Sequence, residues 1–100
     1  MKIFDVDTTY LIRNKYGEVF YSFKDPNSFY VHIFNLYIEP EYRNKGQARK
    51  LLNQAIYEIR ELGWKDEIEI VCDPIEKGID KERLKQFYKS LGLKVYEYYG

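Results

Sequence analysis

Between residues 29 and 62 the hydrophobic period changes once, and that change constrains the fold more than any other feature of the chain. Residues 29–38, FYVHIFNLYI, are a nearly continuous apolar run. Such a run predicts a central strand covered on both faces. From Ala48 onward the apolar residues are Ala48, Leu51, Leu52, Ala55, Ile56, Ile59 and Leu62, which follow the i, i+3, i+4, i+7 rule of one helical face. Gly63 then fits the left-handed stop position. EIEIVC, Glu67 to Cys72, is the next strand. A strand–helix–strand unit of this kind requires a right-handed crossover between roughly parallel strands.

The remaining segments fill out a sheet. KIFDV, YLIRN and EVFYSF carry strand formers. The KYG turn offers Gly17 for a positive φ, and DPNS (Asp25 to Ser28) is a second turn. Strands joined by such tight turns must be antiparallel. Asp80 is a candidate N-cap for a second helix with the stripe Leu84, Phe87, Tyr88 and Leu91, stopped by Gly92, and KVYEYY is a last strand. The order ββββαβαβ predicts an α+β fold, a mixed and mostly antiparallel central sheet with two main helices. One hundred residues fit a single domain, 1–100.

Composition narrows the function classes. Sixteen basic residues balance sixteen acidic ones, so broad electrostatic capture of nucleic acid or of an anionic membrane is disfavoured. Cys72 is the one cysteine, which leaves no intrachain disulfide and no cysteine-built zinc site; no metal site is expected. The first ten residues lack the apolar run of a signal peptide, and no stretch reaches the length of a membrane span, so a cytoplasmic protein is expected. Eleven tyrosines and a short terminal strand make strand-mediated pairing into a homodimer an expectation.

YRNKGQA, residues 42–48, occupies the handover from strand to helix. A helix N-terminus presents unpaired N–H groups and the positive end of the dipole, so it attracts phosphate. Gly46 lets backbone approach the anion, the small Ala48 lets the helix settle on the sheet, and Arg43 and Lys45 add charge. The plain alternative is an ordinary helix start with solvated cations. Gly46 is followed by Gln47, not the Lys-Ser/Thr of a Walker loop, and the three-glycine dinucleotide spacing is absent.

Two motifs carry a resemblance. LYIEPEYRNKGQARKLL resembles the acetyl-CoA-binding motif of the GNAT superfamily of N-acetyltransferases, Arg/Gln-x-x-Gly-x-Gly/Ala, through Arg43, Gly46 and Ala48. KERLKQFYKSLGLKVYEYY is similar to the later helix and strand of that family. Together they span about two thirds of the chain. The resemblance implies a GNAT-like sheet with a splayed strand pair, and acetyl-CoA as acetyl donor. It implies that the backbone of Arg43, Asn44, Lys45, Gly46, Gln47 and Ala48 holds the pyrophosphate. It also implies that the backbone of Leu36, Tyr37 and Ile38, beyond a bulge, pairs with the pantetheine arm and polarises the acetyl carbonyl. Tyr88 matches the tyrosine that protonates the leaving thiolate. Lys81, Leu84 and Leu93 depart from the family pattern. Members usually carry two helices after the first strand that wall the acceptor cleft, and here the first thirty-odd residues are strands and turns. A usual final strand also has no counterpart.

The acceptor implied is an amine, small molecule or protein, and it needs a base because an ammonium cannot attack. His32, on the strand before the loop, is the candidate, with an ordinary pKa suited to the task; a simple strand histidine is the alternative. Glu39 and Glu69 are further candidates. Cys72 is either an acetyl carrier or an inert core thiol. Glu58, Glu61, Asp66, Glu67 and Glu69 form a solvated acidic face. The functional expectation is direct acetyl transfer to a primary amine. The alternative is a catalytically reduced scaffold kept as a protein-interaction or CoA-binding regulatory module.

Overall fold

The early strands form because apolar and polar residues alternate around tight connections. A computed structural model of the chain describes residues 8–24, 30–72 and 80–97. In it β1 (Thr9–Asn14), β2 (Gly17–Lys24) and β3 (Tyr30–Ile38) pair as antiparallel neighbours. Asn14 Oδ1 accepts from the amides of Tyr16 and Gly17 at 2.8 and 3.1 Å, which closes the first turn. Gly17 does not take the positive φ expected of it. It opens β2, and a Cβ there would collide with the Tyr37 carbonyl oxygen. Close approach of two strands, not turn geometry, demands this glycine.

β4 (Ile68–Cys72) and β5 (Lys94–Glu97) extend the sheet to the order β1-β2-β3-β4-β5, both in parallel register. α1 (Gln47–Glu61) links β3 to β4 and α2 (Lys81–Ser90) links β4 to β5. The mixed α+β sheet with two helices is therefore as expected, with antiparallel pairing confined to the first three strands. Asp80 caps α2 by accepting from the amides of Glu82 and Arg83 at 3.0 and 3.2 Å. Gly63 and Gly92, at φ 106° and 81°, end the helices as expected. The strand expected at residues 2–6 and the turn Asp25–Ser28 lie outside the described residues.

Both helices lie on one face of the sheet. Tyr21 donates to Glu58 of α1 at 2.9 Å, and α1 buries Leu51, Leu52, Ala55 and Ile59 on that side. Strand register carries the same face through Val31 and Ile33 to Ile68 and Ile70, and the period-2 alternation of β4 takes it on to Cys72. There α2 packs through Tyr88, and Arg49 of α1 lies 5.2 Å from the centre of the Phe87 ring of α2. Two right-handed crossovers that step in one direction must place their helices together. The result is two layers, with a shortest extent of 21 Å. Each fully buried Leu or Ile at this seam contributes about 1.5–3 kcal/mol.

The expectation that β3 is covered on both faces is met on one face among the described residues: Val31 and Ile33 are fully buried, whereas Tyr30, His32, Phe34 and Leu36 are half-buried. Among the described residues no element covers the outer face. The continuous apolar run arises because the outward positions carry rings that cover one another. Tyr30 and His32 stack at 5.7 Å, His32 and Phe34 meet at 5.0 Å, and Phe20 stacks on Phe34 at 5.7 Å.

Candidate active site

The site begins where β3 and β4 part. Their pairing covers Val31 to Ile33 against Ile68 to Ile70 and then stops, while both strands continue. Beyond that point Asn35 takes a left-handed φ of 52°. Asn35 and Leu36 together stand opposite the single residue Val19, because Glu18 pairs with Tyr37 but Phe20 pairs with Phe34. This is a β-bulge, which bends a strand and re-aims the residues beyond it. The splayed pair and the bulge expected before Leu36, Tyr37 and Ile38 are thus both present. Among the described residues, the β4-facing backbone edge of residues 34–38 has no strand partner.

The loop after β3 owes its shape to its own residues. Pro40–Tyr42 form a single 3-10 turn, with Pro40 in its first turn. Asn44 and Gly46 are both left-handed, at φ 62° and 80°, and such turns gather successive N–H groups into a concave anion site. No side chain caps α1 at Gly46, and the first bond back into the turn is Lys50 N to Gly46 O at 3.2 Å. The amides of Gln47, Ala48 and Arg49 therefore have no helical acceptor. A Cβ built on Gly46 meets no atom within 4 Å. The glycine opens space above the helix end rather than relieving a protein contact, and a long side chain there would fill the cradle. That is the geometry a pyrophosphate fits.

The cations serve the loop more than expected. Arg43 Nε donates to the Ile38 carbonyl at 2.8 Å, and its guanidinium lies 5.4 Å from the centre of the Tyr37 ring. Lys45 Nζ donates to the Glu41 carbonyl at 3.3 Å. Arg43 thus ties the start of the cradle to the end of β3, and the backbone, with the helix dipole, is left as the main anion-binding element.

Tyr88 is 5% exposed on the helix-covered side. Burial, and then the neighbouring Cys72, push its phenol up to about 12, so it stays protonated at neutral pH. Cys72 is itself buried at the end of β4, just past the split. The fold therefore brings Tyr88, Cys72 and the gap together. His32 lies on the opposite face, opposite Glu69 in register. Burial and then Lys24 hold its imidazole below the usual histidine range, so the ring is neutral. Its Nε2 stands 3.5 Å from Ser22 Oγ, and its Nδ1 is buried with no partner among the described residues. Ser22, fully buried, is a residue that sequence reasoning misses; nothing in EVFYSF distinguishes it except its register opposite His32. Asn35 and Asn44 were legible in principle, since Asn is among the few non-glycine residues that tolerate a left-handed φ. Glu39 precedes the 3-10 turn, and its amide donates to the Tyr16 carbonyl. Among the described residues no helix is long and apolar enough to cross a membrane.

The family model described as Acetyltransferase (GNAT) domain matches residues 6–95. Among solved structures, an acetyltransferase from Vibrio fischeri is 28% identical with a TM-score of 0.50, over 62% of this chain and 57% of that one. An integron cassette protein from the mobile metagenome of V. cholerae gives a TM-score of 0.61 at 19% identity, over 85% of this chain and 52% of that one. An aminoglycoside acetyltransferase from an uncultured soil metagenomic sample, in complex with trehalose, gives 0.63 at 18% identity, over 99% and 70%. The chain thus spans little more than half the length of the first two. A comparison with curated proteins gave no match.

Proposed function

The chain belongs to the GNAT acetyltransferase family, and from that premise we propose that it transfers the acetyl group of acetyl-CoA to a primary amine. The observation that carries this reading is the open left-handed Gly46 at an uncapped helix N-terminus, set directly behind a bulged and splayed strand. Acetyl-CoA, when bound, supplies an activated thioester. Asn44 to Ala48 hold its pyrophosphate through backbone amides, with the helix dipole adding attraction. The backbone of Leu36, Tyr37 and Ile38 offers its unpaired edge to the pantetheine arm and a donor toward the acetyl carbonyl oxygen, where charge develops on attack.

Tyr88 and His32 lie on opposite faces of the sheet, Tyr88 beside Cys72 just past the split and His32 opposite Glu69 within the paired segment. A phenol near 12 holds its proton far more tightly than a thiol of ordinary pKa near 8.5. Tyr88 therefore acts first as a hydrogen-bond donor that stabilises the departing sulfur, and full proton transfer trails C–S cleavage. Neutral His32 serves as base when its Nε2 lone pair exchanges the Ser22 hydroxyl, 3.5 Å away, for the amine. Ser22, beside Nε2, fixes that ring's orientation. The neutral form persists to lower pH than in an ordinary histidine.

Calorimetric titration with acetyl-CoA tests the cradle. Gly46→Glu should abolish saturable binding while the far-UV spectrum stays native; Gly46→Ala, which adds only about 1–2 kcal/mol of left-handed strain, should fold and keep most of the affinity. Retained affinity in Gly46→Glu would remove the assignment. Tyr88→Phe should lower turnover about 100-fold with little change in acetyl-CoA affinity. A second reading, an interaction module on a reduced scaffold, is favoured by the uncovered aromatic face. It gains if the wild type binds no cofactor.

A further inference from the structure

One row of polar side chains crosses the whole sheet on the face away from the helices. Strand register places Thr9, Ser22, His32, Glu69 and Lys94 side by side, one from each strand. At the middle of the row the two ring nitrogens of His32 differ. Nε2 stands 3.5 Å from Ser22 Oγ, while Nδ1 is buried without a partner among the described residues. The two nitrogens lie on opposite sides of the ring, so Nδ1 faces away from Ser22 and β2. On the other side of β3 is β4, with Glu69 in register. In-register residues on neighbouring strands stand about 4.8 Å apart, within the reach of a glutamate side chain. Lys94, across from Glu69, pairs with Glu67 instead at 3.7 Å. Glu69 itself has no hydrogen bond or ion pair among the described residues. With Tyr30 it lines an open recess of about 350 Å³, which leaves its carboxylate room to turn. We propose that Glu69 is a positioning residue for His32: its carboxylate turns onto Nδ1, holds the proton there and leaves the Nε2 lone pair for the incoming amine. This role presupposes His32 as the base of the proposed transfer.

Tautomer chemistry calls for such a partner. A neutral imidazole carries one proton, and Nε2 is a base only when that proton sits on Nδ1. A buried N–H without an acceptor is tolerated less well than an unused acceptor. Without Glu69 the ring therefore favours the other tautomer, in which Nε2–H donates to Ser22 and takes no proton. A carboxylate on Nδ1 reverses that choice, as it does for the histidine of a hydrolase triad. When the acceptor ammonium gives one proton to Nε2, it becomes the neutral amine and the ring an imidazolium with a proton on each nitrogen. Glu69 keeps its charge and stabilises that cation, and the ring later returns the Nε2 proton to solvent. The charged and titratable groups around the ring are Lys24 of β2, Tyr30 of β3, Glu67 and Glu69 on the β4 side, and Lys94 of β5. Lys24 opposes an imidazolium, and Glu67 and Lys94 pair with each other. Glu69 is the group left to offset Lys24.

Ring-nitrogen NMR of His32 in the full chain tests this, because the nitrogen shifts report tautomer and pKa without any substrate. The wild type should carry its proton on Nδ1 at neutral pH. Glu69→Gln, which removes the charge at nearly constant size, should raise the acid dissociation constant of the imidazolium about tenfold. Glu69→Ala, which also removes the acceptor, should move the proton to Nε2. Asp66→Asn, on the same recess but off the row, should change neither. Far-UV spectra check that the variants fold. In amine acetylation, Glu69→Gln should move the acid limb of kcat/KM about one pH unit lower and leave the KM for acetyl-CoA unchanged. A tautomer and pKa unchanged in both Glu69 variants would overturn the proposal, as would an equal shift in Asp66→Asn. A Glu69-dependent tautomer in a protein that acetylates no amine would leave the pairing standing and remove the catalytic role of His32.

Discussion

The two faces of the same five strands are built from different residues. The face under the helices is fully buried, with Val19, Val31, Ile33, Ile68 and Ile70 against Leu51, Leu52 and Ile59, and Tyr21, Phe23 and Trp64 packed beside them. The open face carries a half-buried ring ladder, Tyr30, His32, Phe34 and Phe20, beside the polar residues Thr9, Ser22, Lys24 and Glu69. Branched aliphatic side chains gain most when interlocked with a second layer, because packing density is what they contribute. Aromatic rings can shield one another while half-exposed, and their polar edges tolerate water or a partner. The difference separates what holds this fold together from what is available to bind.

Substitutions at matched positions can break that comparison. Leu52→Ala, under α1 at 0% exposure, should lose about 2–5 kcal/mol in chemical denaturation. Gly17→Ala comes next, at about 1–3 kcal/mol, because its new methyl meets the Tyr37 carbonyl and the Ile38 backbone of β3. Phe34→Ala should cost clearly less than Leu52→Ala in the same measurement. Equal losses would mean that the open face is covered after all.

The smallest effect is a pH dependence. His32 has a folded pKa lowered first by burial and then by Lys24, so the unfolded chain binds a proton more readily. The stability tied to the neutral ring is fully present above the ordinary histidine pKa near 6.5. It is lost as pH falls through 6.5 toward the lowered folded value. His32→Phe should flatten the slope of denaturation free energy over that window. A slope unchanged by the substitution would place the acid sensitivity elsewhere.

Much of this was legible in the sequence because it rests on local periodicity and end signals. The α1 stripe, the Asp80 cap and the stops at Gly63 and Gly92 needed only a period of 3.6 and the conformational freedom of glycine. The strand–loop–helix order and the two motifs indicated where a cofactor would sit. What was not legible depends on pairing across the sheet. The run 29–38 predicts coverage on both faces, since hydropathy does not distinguish rings that shelter each other from chains buried by a helix. Gly17 signals a turn, but its need comes from Tyr37, twenty residues away. Arg43 suggests a phosphate grip, and only the bend after Ile38 shows its guanidinium fastened to the strand end. Ser22 meets His32 solely through the β2–β3 register.

The most direct test of the account is a backbone nitrogen–proton NMR spectrum recorded while acetyl-CoA is added. The central claim is that donor binding uses the backbone of the bulge and the cradle and leaves the open face untouched. The expected result is saturable shifts of the amides of Asn35 to Ile38 and Asn44 to Arg49, with those of Leu11 and Ser22 unmoved. Absence of shifts at millimolar acetyl-CoA, or shifts centred on the open face, would contradict it.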